Sequence, residues 1–250
     1  MTSAGGEPLA EVTPRQNATA RRSRRASGPR YGLLLLVLIA TYLFSAFTAG
    51  QWVNDVQILA FVGTLLLALR NALVPRRIAR AAVAVVLVGS AVVAGLVLSR
   101  PSDAVLGGAQ IWTGLILLVT VIVIVRRILA YTSVTLQSIY AALSAYIIIR
   151  LMFASFYAAM NRLGSGPFFA NGSPASTKTF QYFSFTTLTT LGYGDFTAAS
   201  NAGRAVAVME AMAGQVFLAT LVARLVSAFR PSRPPGPPEA GEPREQATRQ

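Results

Sequence analysis

About six long apolar runs, bounded by arginines, constrain this chain more than any other feature of its 250 residues. They fall near 33–49, 57–73, 81–98, 106–125, 132–160 and 203–229. Each approaches the roughly 20 apolar residues that a helix needs to cross ~30 Å of hydrocarbon. Inside a bilayer every backbone N–H and C=O needs a partner within the protein, so only helices and closed barrels span it. Runs this continuous lack the alternation of barrel strands. The expected fold class is an all-α membrane protein with about six transmembrane helices. Composition agrees, since only 12% of residues are charged, where a soluble domain carries roughly 25%.

The charge balance narrows what such a chain can do. Lys+Arg number 22 against 9 Asp+Glu, a net +13, with no histidine and no cysteine. Without those two residue types, His/Cys metal sites, cysteine nucleophiles, serine–histidine triads and disulfides are excluded. A nucleic-acid binder gathers its arginines on one polar surface interleaved with aromatics. Here they flank the apolar runs. Arg21, Arg22, Arg24, Arg25 and Arg30 precede the first, Arg76, Arg77 and Arg80 the third; Arg126 and Arg127 follow the fourth, and Arg224 and Arg230 end the last. Such placing marks the cytoplasmic side and contact with anionic lipid. The expected partner is membrane lipid, not nucleic acid.

Residues 1–30, rich in Ala, Gly, Ser and Arg, read as a disordered basic cytoplasmic tail, and 230–250 as a Pro-rich one. Between them, 31–130 reads as a four-helix N-terminal membrane domain and 131–229 as the unit that carries the chemistry. An even number of crossings places both termini in the cytoplasm of a multi-pass plasma (cell) membrane protein, and leaves 161–202 outside.

That outer stretch is more than a connection. Gly164, Gly166, Pro167, Asn171, Gly172 and Pro174 make a turn-rich start. Ser176 or Thr177 then caps a short amphipathic helix over 178–189. Too short to span, it reads as a re-entrant helix with a return loop, which lipid tolerates only where the backbone lines a watery cavity. The helix ends in Thr190-Leu191-Gly192-Tyr193-Gly194-Asp195.

A cation entering hydrocarbon loses hydration worth tens of kcal/mol by Born estimates, so other oxygens must replace water. Successive backbone carbonyls can do so if all face one axis. Alternating Gly192 and Gly194 supply the freedom to adopt φ > 0 that this conformation demands. Tyr193 is expected to point away from the axis and brace the loop, while the Thr190 hydroxyl adds an oxygen at the inner end. The short helix aims its carbonyl end, roughly half a negative charge, at the cavity below. Asp195 draws cations to the outer mouth. The hexapeptide reads as a multi-ion cation filter.

These residues resemble the filter of the potassium channel family, whose consensus Thr-Val-Gly-Tyr-Gly-Asp they match at five of six positions. Rings of backbone carbonyls are that family's selectivity device. The resemblance covers about 131–229 and implies a pore domain of outer helix, pore helix, selectivity filter and inner helix. It implies that K+ binds along Thr190, Leu191, Gly192, Tyr193 and Gly194, through the carbonyls of the first four, with no other cofactor. It places Asp195 at the outer mouth and Tyr182, where the family often has tryptophan, as its support. Gly214, twenty positions beyond Gly194, matches the gating hinge, with close helix contact as the alternative. Leu191 in place of valine bears on K+/Na+ selectivity, and the proline often found shortly downstream of Asp195 is missing. One loop per chain implies a homotetramer.

The function so implied is passive, potassium-selective conduction. A weakly selective monovalent cation channel, a potassium transporter and a non-conducting subunit are the alternatives, and no catalytic constellation points to an enzyme. A voltage sensor needs arginines repeated through a spanning helix, because each charge moved gives only ~2.3 kcal/mol per 100 mV. The fourth run has none before Arg126 and Arg127 at its end, so intrinsic voltage gating is not expected. In the N-terminal domain Gly89, Gly95, Gly107 and Gly108 suit close helix contact.

Two ionisable groups lie inside apolar runs, where charge is costly and functional by default. Arg150 and Glu210 stand about 15 Å and about 10 Å from the outer ends of their antiparallel helices at 1.5 Å per residue. They are expected to pair across outer and inner helix. Snorkelling is the alternative for Arg150, and a hydrogen bond to a pore-helix hydroxyl such as Thr187 for Glu210. Gln215 faces either the cavity beneath the filter or a neighbouring helix.

Overall fold

The computed structural model describes residues 31–47, 63, 76–130 and 135–228. Among these the regular structure is all helix, with no strand and one isolated bridge between Phe169 and Ala198. Six helices follow in order: α1 Tyr31–Phe47, α2 Arg76–Ser99, α3 Asp103–Ala130, α4 Leu136–Leu163, α5 Thr177–Leu188 and α6 Asn201–Ala228. Four of them (α2, α3, α4 and α6) are long and apolar enough to cross a membrane, and α1 is a shorter apolar helix. The expected span over 57–73 and both terminal tails lie outside the described residues, Gly63 excepted.

Local chemistry sets the helix ends. Pro101 separates α2 from α3, where its missing N–H interrupts the ladder. Asp103 then sits in the first turn of α3, where the helix dipole favours an anion. Thr135 caps α4 in a reciprocal box, its hydroxyl accepting from the Ser138 N–H while the Ser138 hydroxyl accepts from the Thr135 N–H. The Ser176 hydroxyl accepts from the Thr179 N–H at 3.1 Å to start α5, and the Ser200 hydroxyl accepts from the Gly203 N–H at 3.1 Å to start α6. The short helix expected over 178–189 thus starts one residue earlier, with Ser176 as the cap, and stops at Leu188.

α4 is the centre of the molecule. α3 and α1 cover one side of it, α5 and α6 the other, while α2, among the described residues, packs mainly on α3. Leu34 and Leu38 of α1, Leu117 and Ile124 of α3, and Ile148 and Leu151 of α4 form one apolar core. A second core is aromatic: Tyr157 of α4 meets Phe168 and Phe183, Phe168 meets Phe180, and Phe183 meets Phe169, at ring-centroid spacings of 5.0–5.6 Å, a range favourable for edge and tilted ring pairs. Gly89 lies against the Trp112 indole and Gly107 against Leu163, each closer than a Cβ would allow. Gly95 and Gly108 have open space around them, so among the described residues they serve no close helix contact.

Candidate functional site

α5 is held between α4 and α6, and the segment after it turns back along the same helix. The N–H of Thr190 donates to the Thr187 carbonyl at 2.9 Å, and those of Leu191 and Gly192 both donate to Thr186, at 2.8 and 3.2 Å. These bonds use the carbonyl end of α5 to anchor the first three residues of the return segment. Along 190–194 φ alternates in sign: it is +57° at Thr190, +47° at Gly192 and +81° at Gly194, whereas Leu191 and Tyr193 stay out of the left-handed region. Glycine enters that region freely, but threonine does so at a cost on the order of 1–3 kcal/mol. The side chains of Leu191 and Tyr193 are exposed on the single chain.

The far end of the segment is tied down twice. Tyr182 of α5 hydrogen-bonds the Asp195 side chain, and that bond, with smaller contributions from desolvation and nearby negative charge, raises the phenol above its ordinary pKa. Tyr182 also meets Phe196 edge-on at 5.7 Å between centroids. From the turn-rich stretch, the Asn171 amide donates to the Asp195 backbone carbonyl at 2.7 Å, while its own Oδ1 accepts from the Ser173 N–H at 3.0 Å. The Phe169–Ala198 bridge, with the Ala170 N–H donating to Thr197 and the Ala199 N–H to Phe168, fixes the two flanks against each other.

The near end meets α6. A Cβ on Gly214 would stand 2.3 Å from the Leu188 carbonyl oxygen, so this position admits no side chain without a shift. That same carbonyl accepts from the Tyr146 hydroxyl of α4 at 3.2 Å. One residue on, the Gln215 amide donates to the Thr190 hydroxyl at 3.2 Å. Gly214 therefore stands where α6 runs closest to the end of α5, and α6 is helical without interruption through it.

Behind α5 lies a buried polar junction of three helices. Glu210 is completely buried. Tyr157 donates to its Oε2 at 2.6 Å, and the Ser184 hydroxyl forms a short bond with its Oε1. The Ser184 hydroxyl also lies 2.7 Å from the Arg150 backbone carbonyl. Arg150, itself buried, donates from Nη1 to the Gln181 carbonyl at 3.4 Å, lies 5.6 Å over the Phe185 ring and acts on Glu210 electrostatically. Arg150 and Glu210 are thus drawn into one junction. The α5 hydroxyl at the carboxylate is Ser184, one turn before Thr187.

Sequence reasoning passed over Tyr157, Ser184, Tyr146 and Asn171. Tyr157 carried a usable signal, since it stands two turns from Arg150 on the same helical face. Ser184 has the matching one, a hydroxyl in a helix with an ionisable neighbour at similar depth. Asn171 offers none, because its role depends on a turn that returns it to Asp195.

Comparison with known families and proteins bears on this same half of the chain. Residues 141–230, which cover most of α4, all of α5, the return segment and α6, match the family described as ion channel. No curated protein and no solved structure matches the chain. The match and the four apolar spans support an ion channel, a multi-pass membrane protein whose work is ion transport.

Proposed function

We propose that this chain is one subunit of a homotetrameric, potassium-selective channel that conducts passively through a filter formed by residues 190–194. The observation that carries the proposal is the alternation of φ at Thr190, Gly192 and Gly194 within a Thr-x-Gly-Tyr-Gly-Asp segment. Alternating left- and right-handed residues turn successive peptide planes so that like groups share one side. With the N–H groups of 190–192 committed to α5, the carbonyls of Thr190, Leu191, Gly192 and Tyr193 are left to replace a cation's water. α5 enters as a re-entrant pore helix, its carbonyl end favouring positive charge below the filter. Asp195, held by Tyr182, lines the outer mouth.

Four copies are required because one loop gives one carbonyl per layer. Two exposed surfaces of the single chain support association between copies. Leu191 and Tyr193 are exposed, and so is an apolar face of α6 bearing Val208, Met209, Met212 and Val216. Facing copies would cover both. α3 carries no arginine between Asp103 and Arg126, which argues against intrinsic voltage gating. We place both termini in the cytoplasm and the assembly in the cell membrane, with lipid around α1–α3.

Flux into liposomes tests the reading. Purified wild-type protein is expected to pass K+ well ahead of Na+ and to be blocked by Ba2+, and Gly192→Ala is expected to abolish the flux, since alanine resists φ of +47°. Equal flux and selectivity in that variant overturns the filter assignment. Leu191 favours a second reading, a weakly selective monovalent cation channel, because its γ-branched side chain fills the space behind the filter differently from valine. A bi-ionic reversal potential near zero for K+ against Na+ selects it.

A further inference from the structure

We propose that Gln215 is a specificity-determining positioning residue for the innermost ion site of the filter, acting through the Thr190 hydroxyl. The inference rests on the channel reading above and adds a residue that the filter motif does not contain.

Three observations converge on it. The Gln215 amide donates to Thr190 Oγ1 at 3.2 Å, a direct contact between the inner helix and the first filter residue. Thr190 is the only non-glycine residue with positive φ among the described residues, at +57°, so its conformation needs support from outside its own backbone. The approach is built in. Gly214, with no side chain, lets α6 come against the Leu188 carbonyl, and the next residue then stands beside Thr190. Tyr146 holds that carbonyl from the opposite helix, which fixes the end of α5 against which the distance is set.

The chemistry follows from donor counting. A threonine hydroxyl has one hydrogen and two lone pairs. Accepting from Gln215 occupies one lone pair and fixes the rotation of the oxygen, leaving a single lone pair for a cation. Accepting a hydrogen bond also polarises the hydroxyl, making it a stronger donor and a weaker acceptor. With four copies on one axis, four amides would set the field strength of the innermost ring of oxygens. A divalent ion is the sharper probe of that ring because its binding depends more steeply on oxygen charge. Gln215 is a positioning residue: it touches no permeant ion and acts on Thr190.

Ba2+ block of K+ flux, measured with the full chain in liposomes and Ba2+ added from the cytoplasmic side, tests the assignment. Gln215→Leu keeps the side-chain size and removes the donor. It is expected to shift the Ba2+ concentration for half block by about tenfold relative to wild type, the scale of one neutral hydrogen bond. Made in a Thr190→Val background, the same substitution is expected to add no further shift, because the oxygen it acts on is gone. Gln215→Asn, whose shorter arm withdraws the amide, should reproduce the shift of Gln215→Leu and serves if the leucine variant does not assemble. An unmoved half-block concentration in the conducting variants overturns the assignment, as does an equal shift with and without the Thr190 hydroxyl. Wild-type protein that passes no K+ overturns the channel reading itself, and the inference with it.

Discussion

α2 and α6 are both long, apolar and largely exposed on the single chain, yet they differ in what anchors them. Among the described residues α2 packs mainly on α3, by Ala82, Val83 and Val86 around Ile116 and by a bond from the Trp112 indole to the Ser90 hydroxyl at 3.2 Å. α6 is fixed at chosen points, by the Glu210 junction, by Gly214 against Leu188 and by Gln215 on Thr190. Apolar surface alone orients a helix weakly in lipid, because lipid tails are as apolar as its side chains. Polar bonds and backbone contact give α6 one rotation and one depth. In the proposed assembly the exposed face of α2 meets lipid, and the exposed face of α6 meets other copies of the chain.

If this contrast holds, substitutions along α6 and its partners act strongly and those on the outer face of α2 hardly at all. Glu210→Leu should act most. It leaves the Tyr157 hydroxyl and Arg150 buried without the carboxylate, a loss on the order of 3–5 kcal/mol for a broken buried charge cluster, and should abolish tetramer recovery in mild detergent by size-exclusion chromatography. A stable tetramer in this variant breaks the contrast at its strongest point. Gly214→Ala comes next. Its Cβ would meet the Leu188 carbonyl at 2.3 Å, and overpacking of this kind costs about 1–3 kcal/mol. A lowered melting temperature with impaired K+ flux is expected, whereas normal stability with altered opening would favour the hinge reading of this glycine.

Tyr182→Phe should have a smaller effect, since it removes one bond at a half-buried position. Collapse of the filter under sustained current is expected to speed up on the order of threefold. pH supplies a matching test in the wild type. Asp195 raises the phenol's pKa, so the bond is fully present below the ordinary value of about 10 and is lost as pH rises through the raised one. Wild-type inactivation should therefore be flat from pH 6 to 9 and approach that of Tyr182→Phe only at stronger alkalinity. An identical time course in the two proteins at neutral pH removes Tyr182 from filter support. Smallest of all, Val92→Leu on the exposed face of α2 should leave melting temperature and flux unchanged, within roughly 0.5 kcal/mol. A large effect there would mean that α2 also faces protein.

Much of this architecture is legible in the sequence because lipid leaves few choices. Apolar runs of spanning length become helices, and α3, α4 and α6 fall within a few residues of the runs that foreshadow them. The return segment is legible for a related reason, since alternate glycines between a short helix and an aspartate have few uses. What the sequence conceals is azimuth. Arg150 and Glu210 can be placed at similar depth from residue counts, but whether they meet, and through which hydroxyl, depends on the rotation of three helices about their own axes. Ser184 and Thr187 stand only about 60° apart around their helix, so which of them is the partner is fixed only once the crossing geometry is known. Asn171 was hidden for a different reason, because its bond to Asp195 spans a turn whose path no periodicity records. Gly214 shows the limit most clearly. Its spacing from Gly194 is visible, while the Leu188 oxygen that excludes a side chain there is not.

Anomalous diffraction from crystals of the assembled protein grown with Rb+ in place of K+ tests the central claim most directly. The account predicts a four-fold assembly with anomalous peaks on the shared axis, each lying between rings of carbonyl oxygens from Thr190, Leu191, Gly192 and Tyr193. Peaks away from those oxygens, or an assembly whose 190–194 carbonyls face away from a common axis, would contradict it.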